Sequence, residues 1–391
     1  MRREGVNGTV GGGRGLPPSR VRELAGTLRD LARLLGGNRL TDGQDLRALP
    51  AEEEASLQHA RSRFAMPEAW RLGRRLTTVG DVAVVEVRDG ADLVAVLKLS
   101  RSPAGDASLA LQEEVLSLLA ADDRLGEWRR FLPEVLAHGV LDPRRYMLER
   151  AVRGRVGTSL PDSALAGGGL RSAVLSIAAL HRATGGREVA TRSLVESWVD
   201  PPLARIADLP MLLGRTRRLA LVDDVRRRIR SGLEGRAVWI SRTHGDLSLG
   251  NVIYRAAAPE VAGILDWAQS RDGEPAWIDP LTLLLVGRAQ RHGRELGDVV
   301  RDLRRSASLT APESDLLMAH RAACPGDRVD TDVMALMAWL RHVDGNLEKS
   351  PRYAAHPVWV HRNVERVLTA AAASHHPGRS GVSSARGAAP E

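Results

Sequence analysis

The sequence predicts an α+β fold in two lobes, a small antiparallel β-sheet followed by a larger and mainly helical part. Two observations lead to this prediction. From Leu76 to Leu99, apolar strand-forming residues are interrupted by short turn signals, a pattern typical of antiparallel strands. After Gly154, apolar residues recur mainly at helical spacing, apart from a short region at 237–267 in which apolar strands flank a polar turn.

The smaller lobe is predicted from local patterns. Strands are expected at Val82–Val87 and Leu93–Leu99, joined by a tight turn at Asp89–Gly90 and preceded by a turn at Val79–Asp81. Residues 107–121 have the apolar spacing of a helix. Two more strands are expected in the segments LPEVLAHGVL and RYMLERAV, which completes a small sheet with one helix.

The two ends of the chain differ from this central part. The first 17 residues are rich in Gly and Arg, and an amphipathic helix is predicted at Pro17–Gly36, as a packing helix or a partner-binding helix. A polar connector follows. We therefore divide the chain into an N-terminal extension (1–66), a sheet lobe (67–150), a helical lobe (151–372) and a flexible Ser-, Gly- and Ala-rich tail (373–391).

Composition excludes several classes of protein. Of the 391 residues, 43% are hydrophobic and 27% are charged, which allows a sizeable core and excludes wholesale disorder. The single cysteine, Cys324, excludes a disulfide framework, a CxxC zinc site and an iron–sulfur cluster. No apolar run approaches the ~20 residues that span a bilayer, and the N-terminus has no signal-peptide stretch. We expect a soluble, cytoplasmic protein with no membrane partner.

The net charge of +8 raises nucleic acid as a possible partner, but the charge pattern favours another interpretation. Positive residues are spread along the chain and interleaved with Asp and Glu, which is typical of a solvated mixed-charge surface. Of the 56 basic residues, only Lys98 and Lys349 are lysine. In a chain that uses arginine almost everywhere, a retained lysine indicates a position where arginine does not serve.

The most informative stretch is His244-Gly245-Asp246, followed after four residues by Asn251 and, after an apolar run, by Asp266. Phosphoryl transfer from a nucleotide needs a carboxylate at the acceptor hydroxyl and oxygen ligands for magnesium. Asp246 suits the first role, and Asn251 and Asp266 suit the second. Each residue alone could be an ordinary turn or surface residue, but their combined spacing favours the site. His244 is expected to hold the loop through backbone hydrogen bonds.

The same chemistry needs a cation at the nucleotide phosphates. Lys98 ends a predicted strand, and Val96, two residues earlier, would cover an adenine ring. The simpler interpretation is a snorkelling surface lysine, but the scarcity of lysine favours a function. The following helix offers Glu113 and Glu114, and one of them is expected to pair with Lys98.

This combination resembles the aminoglycoside phosphotransferase family of the protein-kinase-like fold. The family's HGD-x4-N motif and the strand that ends in Asp-Trp match the stretch from His244 to Trp267, and its strand lysine matches Lys98. The family's LxxLH helix end is similar to the segment that closes with His181, and the segment with Asp279 resembles the stretch after its metal aspartate. The similarity covers the chain from about Trp70 to about Ala372.

The resemblance implies a kinase-like two-lobed fold, ATP or GTP as donor, Mg²⁺, a hydroxyl acceptor, and a hinge at Glu149–Ala151 whose backbone meets the purine. Three features depart from the family pattern. The nucleotide loop lacks G-x-G-x-x-G and offers only 77–80, and the expected helix glutamate falls on Gln112, beside Glu113 and Glu114. The first 66 residues lie outside the family core.

Several classes of acceptor are compatible with the sequence. We favour the hydroxyl of a small molecule, such as an aminoglycoside-like antibiotic, a sugar or an amino alcohol. The positive net charge opposes a polycation unless local acidity exists, for which Asp272, Glu274 and Asp279 are candidates. Alternatives are a kinase for Ser or Thr of a precursor peptide, a nucleotide-binding protein without turnover, and nucleic-acid binding by the arginine-rich stretch Arg215–Arg230.

Overall fold

The computed structural model describes residues 51–76, 81–141, 143–306 and 308–370. These residues belong to the compact unit Pro50–Glu391. The predicted helix Pro17–Gly36, the nucleotide loop at 77–80 and the predicted tail at 373–391 lie outside the described residues.

The N-terminal part contains one five-stranded antiparallel sheet in the order β1-β2-β3-β5-β4. Its strands are β1 (Trp70–Leu76), β2 (Val82–Asp89), β3 (Asp92–Ser100), β4 (Val135–Leu141) and β5 (Arg144–Arg150). Helix α1 (Ala51–Phe64) precedes the sheet, and helix α2 (Pro103–Ala121) and a 3-10 segment (Asp123–Phe131) connect β3 to β4. The predicted hairpin is present, since β2 and β3 pair antiparallel. Gly90 in its tight turn has a φ of 56°, a backbone conformation that glycine adopts easily.

Two details of this part differ from the sequence prediction. Helix α1 occupies part of the segment that we interpreted as a polar connector, with acidic residues in its first turn and Arg61 and Arg63 in its last. Helix α2 begins at Pro103 rather than at residue 107. Ser102 caps it by accepting a hydrogen bond from the Gly105 amide at 3.2 Å, and proline is well suited to the first helical position.

The C-terminal part is mainly helical. Its helices are α3 (Asp162–Ala164), α4 (Leu170–Thr184), α5 (Arg192–Asp208), α6 (Arg215–Leu233), α7 (Ile278–Arg291), α8 (Leu296–Ser306), α9 (Ala311–Ala323), α10 (Thr331–Lys349), α11 (Pro351–Ala354), α12 (Pro357–Val360) and α13 (Arg366–Leu368). Short π-helical segments lie at Leu165–Gly169 and His361–Glu365, and 3-10 turns at Gly157–Ser159, Leu249–Asn251 and Trp267–Gln269.

Two three-stranded antiparallel sheets lie among these helices. One has the order β10-β9-β6 and the other β11-β8-β7. The strands are β6 (Arg155–Val156), β7 (Gly186–Val189), β8 (Ala237–Thr243), β9 (Val252–Tyr254), β10 (Val261–Ile264) and β11 (Arg271–Pro275). The strand-like region predicted at 237–267 is therefore present, and the predicted α+β class with a sheet lobe and a helical lobe is confirmed.

Two buried clusters support the region that carries the polar turn. The larger one joins α5, α6, α7, α8 and α10 around Trp339. The other joins α2 and α4 to β9 and β10, and in it the Trp128 and Trp267 rings meet edge to face with centroids 5.8 Å apart. Leu247 and Leu249 of the polar turn (His244–Asn251), and Val252 directly after it, belong to this second cluster, which anchors the turn in the core.

The helical segment Asp162–Thr184 is long and apolar enough to cross a membrane, by length and composition only. It is an exception to the sequence expectation that no apolar run approaches this length. Ile177 and Leu180 of this segment are fully buried in a core cluster, and His181 near its end is fully buried as well. We therefore interpret the segment as an amphipathic helix, one face of which packs in the core of the C-terminal part.

The arginine-rich helix α6 forms several ion pairs with carboxylates. Arg226 pairs with Asp200 at 2.8 Å, and Arg228 contacts both Asp330 and Asp332 at 3.0 Å. Cations that are already paired with carboxylates contribute little to the attraction of a phosphate backbone. This pairing favours the mixed-charge surface over a nucleic-acid interface.

Candidate active site

A cavity of about 450 Å³ opens between the five-stranded sheet and the polar turn of the C-terminal part. Six of the predicted site residues line it: Val96, Lys98, Glu149, Ala151, Asn251 and Asp266. Val96 and Lys98 lie on β3 and Glu149 on β5, Ala151 follows β5 directly, and the region between β8 and β11 supplies the last two. Residues that are 168 positions apart in sequence, Lys98 and Asp266, therefore face one cavity.

Lys98 pairs with a carboxylate from the neighbouring strand. Its Nζ lies 3.0 Å from Oε1 of Glu149 on β5. Met147 lies opposite Lys98 in the ladder between β3 and β5, so Glu149, two residues farther along, points to the same face of the sheet. The Gln112 amide nitrogen of α2 donates to the same Glu149 oxygen at 2.5 Å. Lys98, Glu149 and Gln112 thus form one buried cluster.

This arrangement corrects the expected partner of Lys98. Glu113 points away from the cluster and pairs with His138 at 2.7 Å and with Arg145 at 3.0 Å, whereas Glu114 is exposed. The residue of α2 that faces the sheet at this point is Gln112, which is buried. The helical register therefore turns both glutamates away from Lys98, and the anchoring carboxylate comes from β5 instead.

The predicted hinge also differs in detail. The Ala151 amide donates to the Val94 carbonyl at 3.0 Å, and the Arg150 amide donates to the Glu134 carbonyl at 2.8 Å. Both amides are thus committed to the sheet and are not available to a purine. Ala151 still lines the cavity, and so does the next residue, Val152.

The polar turn is held by the ring of His244. Its Nε2 lies 2.8 Å from the Leu265 carbonyl, which can only accept, so Nε2 carries the proton. Its Nδ1 accepts a hydrogen bond from the Asp246 amide at 3.2 Å. Asn251 completes the turn by donating from its amide nitrogen to the Asp246 carbonyl at 2.8 Å. Both nitrogens of His244 are occupied, so the ring positions Asp246 and does not act as a base.

The buried carboxylate of Asp279 stabilises the polar turn through its backbone amides. Asp279 is completely buried and accepts hydrogen bonds from the backbone amides of His244 at 2.7 Å and Gly245 at 2.9 Å. His181 Nε2 donates to Asp279 at 2.9 Å, and His181 Nδ1 lies 2.9 Å from Nε2 of His320. Burial opposes the Asp279 charge, but these hydrogen bonds and the nearby histidines outweigh it and hold the pKa of Asp279 below its usual range.

Asp266 follows strand β10 and has a left-handed backbone conformation, with a φ of 62°. Burial raises the pKa of Asp266, but attraction by Lys349 and Lys98 prevails and places that pKa below its usual range. The carboxylate is therefore ionised near neutral pH. The Asn251 nitrogen is committed to Asp246, so its oxygen is the atom left for a ligand. A carboxylate and an amide oxygen fit the hard-oxygen preference of Mg²⁺.

Lys349, which is not among the site residues predicted from the sequence, also lies at the site. Lys349 is the last residue of α10, and its Nζ lies 2.5 Å from Oδ2 of Asp246 and 3.8 Å from Oδ2 of Asp266. The two carboxylates raise the pKa of Lys349 even though burial opposes its charge. The signal that identified Lys98, the scarcity of lysine, applied equally to Lys349. Both lysines of the chain line the same cavity.

The carboxylates proposed to give local acidity do not form an acidic surface. Asp279 is completely buried beneath the turn. Glu274 is buried and pairs with Arg341 at 2.9 Å. Asp272 is exposed and lies 3.8 Å from Arg242. This corrects the expectation that these three residues could attract a polycationic acceptor.

Comparison with known proteins agrees with this geometry. A sequence model of the phosphotransferase enzyme family matches residues 74–302, more than half of the chain. No curated protein sequence matches the chain. A candidate aminoglycoside phosphotransferase of known structure from Ralstonia eutropha JMP134 is 16% identical, with coverage of 81% of this chain and 94% of that chain and a TM-score of 0.50. This similarity confirms the protein-kinase-like two-lobed fold.

Two further solved structures are similar at lower TM-scores. An aminoglycoside phosphotransferase from Streptomyces rimosus ATCC10970 is 19% identical, with coverage of 74% of this chain and 97% of that chain and a TM-score of 0.47. A macrolide 2'-phosphotransferase from Brachybacterium faecium is 18% identical, with coverage of 78% of this chain and 95% of that chain and a TM-score of 0.46.

Proposed function

Because this chain belongs to the phosphotransferase enzyme family, we propose that it transfers the γ-phosphoryl group of ATP, in the presence of Mg²⁺, to a hydroxyl group of a small molecule in the cytoplasm. The observation that carries the proposal is the convergence of Lys98, Asn251 and Asp266 on one cavity, to which Asp246 is joined through the cavity-lining Lys349. Each of these residue types has a distinct task in phosphoryl transfer.

The roles follow from position. Lys98, held by Glu149, would contact the α- and β-phosphates, and Val96 would cover the base. Asn251 and Asp266 would hold the magnesium ion, which neutralises charge on the phosphates. The acceptor oxygen forms a bond to the γ-phosphorus while the bond from that phosphorus to the bridging oxygen breaks and ADP leaves. Asp246 accepts the proton that the acceptor hydroxyl loses.

The charges near Asp246 favour a neutral or weakly charged acceptor. Two carboxylates on this side are paired with arginines: Asp344 with Arg205, and Glu348 with Arg271 at 2.6 Å. Recognition of a polycation needs several carboxylates without such partners. A sugar, an amino alcohol or a biosynthetic intermediate with a hydroxyl group therefore fits better than an aminoglycoside with many amines.

The alternative of a precursor peptide as acceptor has no support among the described residues. That idea depended on the predicted helix Pro17–Gly36, which lies outside them. The alternative of a nucleotide-binding protein without turnover is disfavoured by Asp246, since a protein that only binds nucleotide needs no carboxylate on the acceptor side.

The proposal is tested by measuring ADP release from ATP, and separately from GTP, with a panel of hydroxyl acceptors. The panel contains streptomycin, a macrolide, glucosamine and a short amino alcohol. Wild type is compared with Asp246→Asn and with the control Asp315→Asn, which removes an exposed carboxylate of α9. We expect acceptor-dependent ADP release that falls at least about 100-fold in Asp246→Asn and is unchanged in Asp315→Asn.

Two results would contradict the proposal. One is a wild type that binds neither ATP nor GTP. The other is acceptor-dependent ADP release that persists in Asp246→Asn, because the transfer would then not involve this site. Strong preference for streptomycin would overturn the choice of a weakly charged acceptor while leaving the phosphotransferase activity intact.

A further inference from the structure

The end of helix α10 and the start of α11 form a short segment against the cavity, Lys349–Tyr353, with three separate contacts to the site. The Lys349 ammonium lies 2.5 Å from Asp246 and 3.8 Å from Asp266. The Ser350 hydroxyl donates to the Asp81 carboxylate at 3.3 Å, which ties this segment to the start of β2. Tyr353 lines the cavity beside Lys349. These contacts join residues that are separated by 83 to 269 positions in sequence.

The ammonium group of Lys349 lies close to both aspartates of the site. Under the proposed function, Asp246 lies on the acceptor side and Asp266 on the metal side of the reaction. The γ-phosphoryl group has to pass between these two carboxylates during transfer. Lys349 reaches both of them, so its Nζ lies beside the path of the phosphorus. The side chain is 21% exposed, which allows it to contact a ligand in the cavity.

The residue type also points to a ligand. A structural ion pair between helices is commonly made by arginine, and this chain uses arginine in 54 of its 56 basic positions. Lysine has a compact charge with three donors, which can contact a carboxylate and a phosphoryl oxygen together. The nucleotide loop lacks the G-x-G-x-x-G amides that usually surround the phosphates, so the site gains most from a cation supplied by another segment.

We propose that Lys349 is a catalytic residue that binds the oxygens of the transferring γ-phosphoryl group and stabilises the charge that develops on it. The segment Lys349–Tyr353, tied to the sheet lobe through Ser350 and Asp81, holds it there. This inference rests on the proposed function. It assigns to α10 a contact that neither the HGD motif nor the strand lysine provides.

The test uses a mimic of the transferring group. The full chain is studied as wild type, Lys349→Met and Lys349→Arg, with Arg217→Met as the control that removes an exposed cation of α6. The dissociation constants of Mg–ADP and of Mg–ADP with aluminium fluoride are measured by displacement of a fluorescent ADP analogue. The hydrolysis of ATP to ADP and phosphate is measured in parallel, because it needs no acceptor. Thermal unfolding monitors folding.

We expect Lys349→Met to weaken the aluminium fluoride complex and to slow ATP hydrolysis by about 100-fold each, with Mg–ADP affinity changed less than about threefold. Lys349→Arg should regain part of both losses, and it keeps the test decisive if the methionine variant does not fold. Arg217→Met should behave as wild type.

Three results would overturn the inference. Equal weakening of the complexes with and without aluminium fluoride would make Lys349 a general phosphate contact. Faster hydrolysis or tighter nucleotide binding in Lys349→Met would show that the Lys349 ammonium group is inhibitory and occupies the position of a bound cation. Wild-type values in Lys349→Met would leave only a surface ion pair. In each of these cases the wild type still binds nucleotide and hydrolyses ATP, whereas failure of the proposed function would leave the wild type without nucleotide binding or without a transfer that depends on Asp246.

Discussion

Lys98 and Glu149 form an ion pair of 3.0 Å between adjacent strands of one sheet. The carboxylate that orients the phosphate-binding lysine is thus part of the same rigid ladder as the lysine, while α2 contributes the neutral Gln112. A partner on the neighbouring strand moves with Lys98, whereas a partner on a helix could separate from it. The orientation of Lys98 is therefore independent of movements of α2.

We predict that Glu149→Gln lowers the free energy of unfolding by about 3 kcal/mol, because it leaves the buried Lys98 charge without a partner. The double variant Glu149→Gln with Gln112→Glu should recover most of this loss. The two side chains are 2.5 Å apart, so a carboxylate at either position reaches the lysine. Urea unfolding and ATP affinity are the measurements, with the exposed Glu114→Gln as control.

A double variant that is no more stable than Glu149→Gln would show that Lys98 depends on the strand position itself. A large effect of Glu114→Gln would contradict the correction of the Lys98 partner.

We predict a division of labour between the two aspartates near Lys349. Asp246→Asn should lower turnover by at least about 100-fold with little change in Mg–ATP affinity, because its carboxylate acts on the acceptor. Asp266→Asn should instead weaken Mg–ATP binding by about tenfold, since it loses an anionic magnesium ligand. Titration of each variant with Mg²⁺ at fixed ATP separates the two effects. Equal losses of Mg–ATP affinity in both variants would contradict these roles.

The parts of the fold that depend on neighbouring residues could be predicted from the sequence. The β2–β3 hairpin follows from two apolar runs and Gly90, and the HGD turn follows from polar residues between strands. The start of α2 was also encoded locally, in Ser102 and Pro103, although the prediction placed it four residues later. In each case the signal lies within a few residues of the feature that it specifies.

Contacts between distant segments could not be predicted in this way. The pairing of Lys98 with Glu149 depends on the register between β3 and β5, which no local pattern records. Lys349 lies 103 residues from its partner Asp246. The scarcity of lysine in the chain marked Lys349 as a candidate functional residue. Only the packing of α10 beside the HGD turn shows that it contacts Asp246. Likewise, the burial of Asp279 results from its place beneath the HGD turn and not from its sequence neighbours.

Below pH 6.5 we predict a loss of stability that depends on His320. Burial and the neighbouring His181 lower the pKa of His320 to about 3, with Asp279 acting weakly in the opposite direction. Between about pH 6.5 and pH 3 the unfolded chain binds a proton at this residue that the folded protein does not. The free energy of unfolding therefore falls as the pH falls, by up to about 1.4 kcal/mol per pH unit.

The variant His320→Gln removes this titration and retains a donor for His181. Urea unfolding at pH 7, 6, 5 and 4 should show a shallower pH dependence in His320→Gln than in wild type. The exposed His292→Gln variant controls for the loss of a histidine. Parallel curves for wild type and His320→Gln would show that His320 is protonated in the folded protein as well.

The HGD turn requires a glycine at position 245 for two separate reasons. Gly245 has a φ of 80°, and an added Cβ would lie 2.2 Å from the Gln269 carbonyl oxygen. Gly235 has nearly the same φ, 79°, but no atom within 4 Å of an added Cβ, so it is a matched control.

We predict that Gly235→Ala costs about 1 kcal/mol of unfolding free energy through its backbone conformation alone. Gly245→Ala should cost about 2 kcal/mol more, because the turn has to shift away from Gln269. That shift also moves Asp246, so ATP turnover should fall in Gly245→Ala and stay at the wild-type level in Gly235→Ala. Equal destabilisation of the two variants would show that the close contact with Gln269 relaxes without cost.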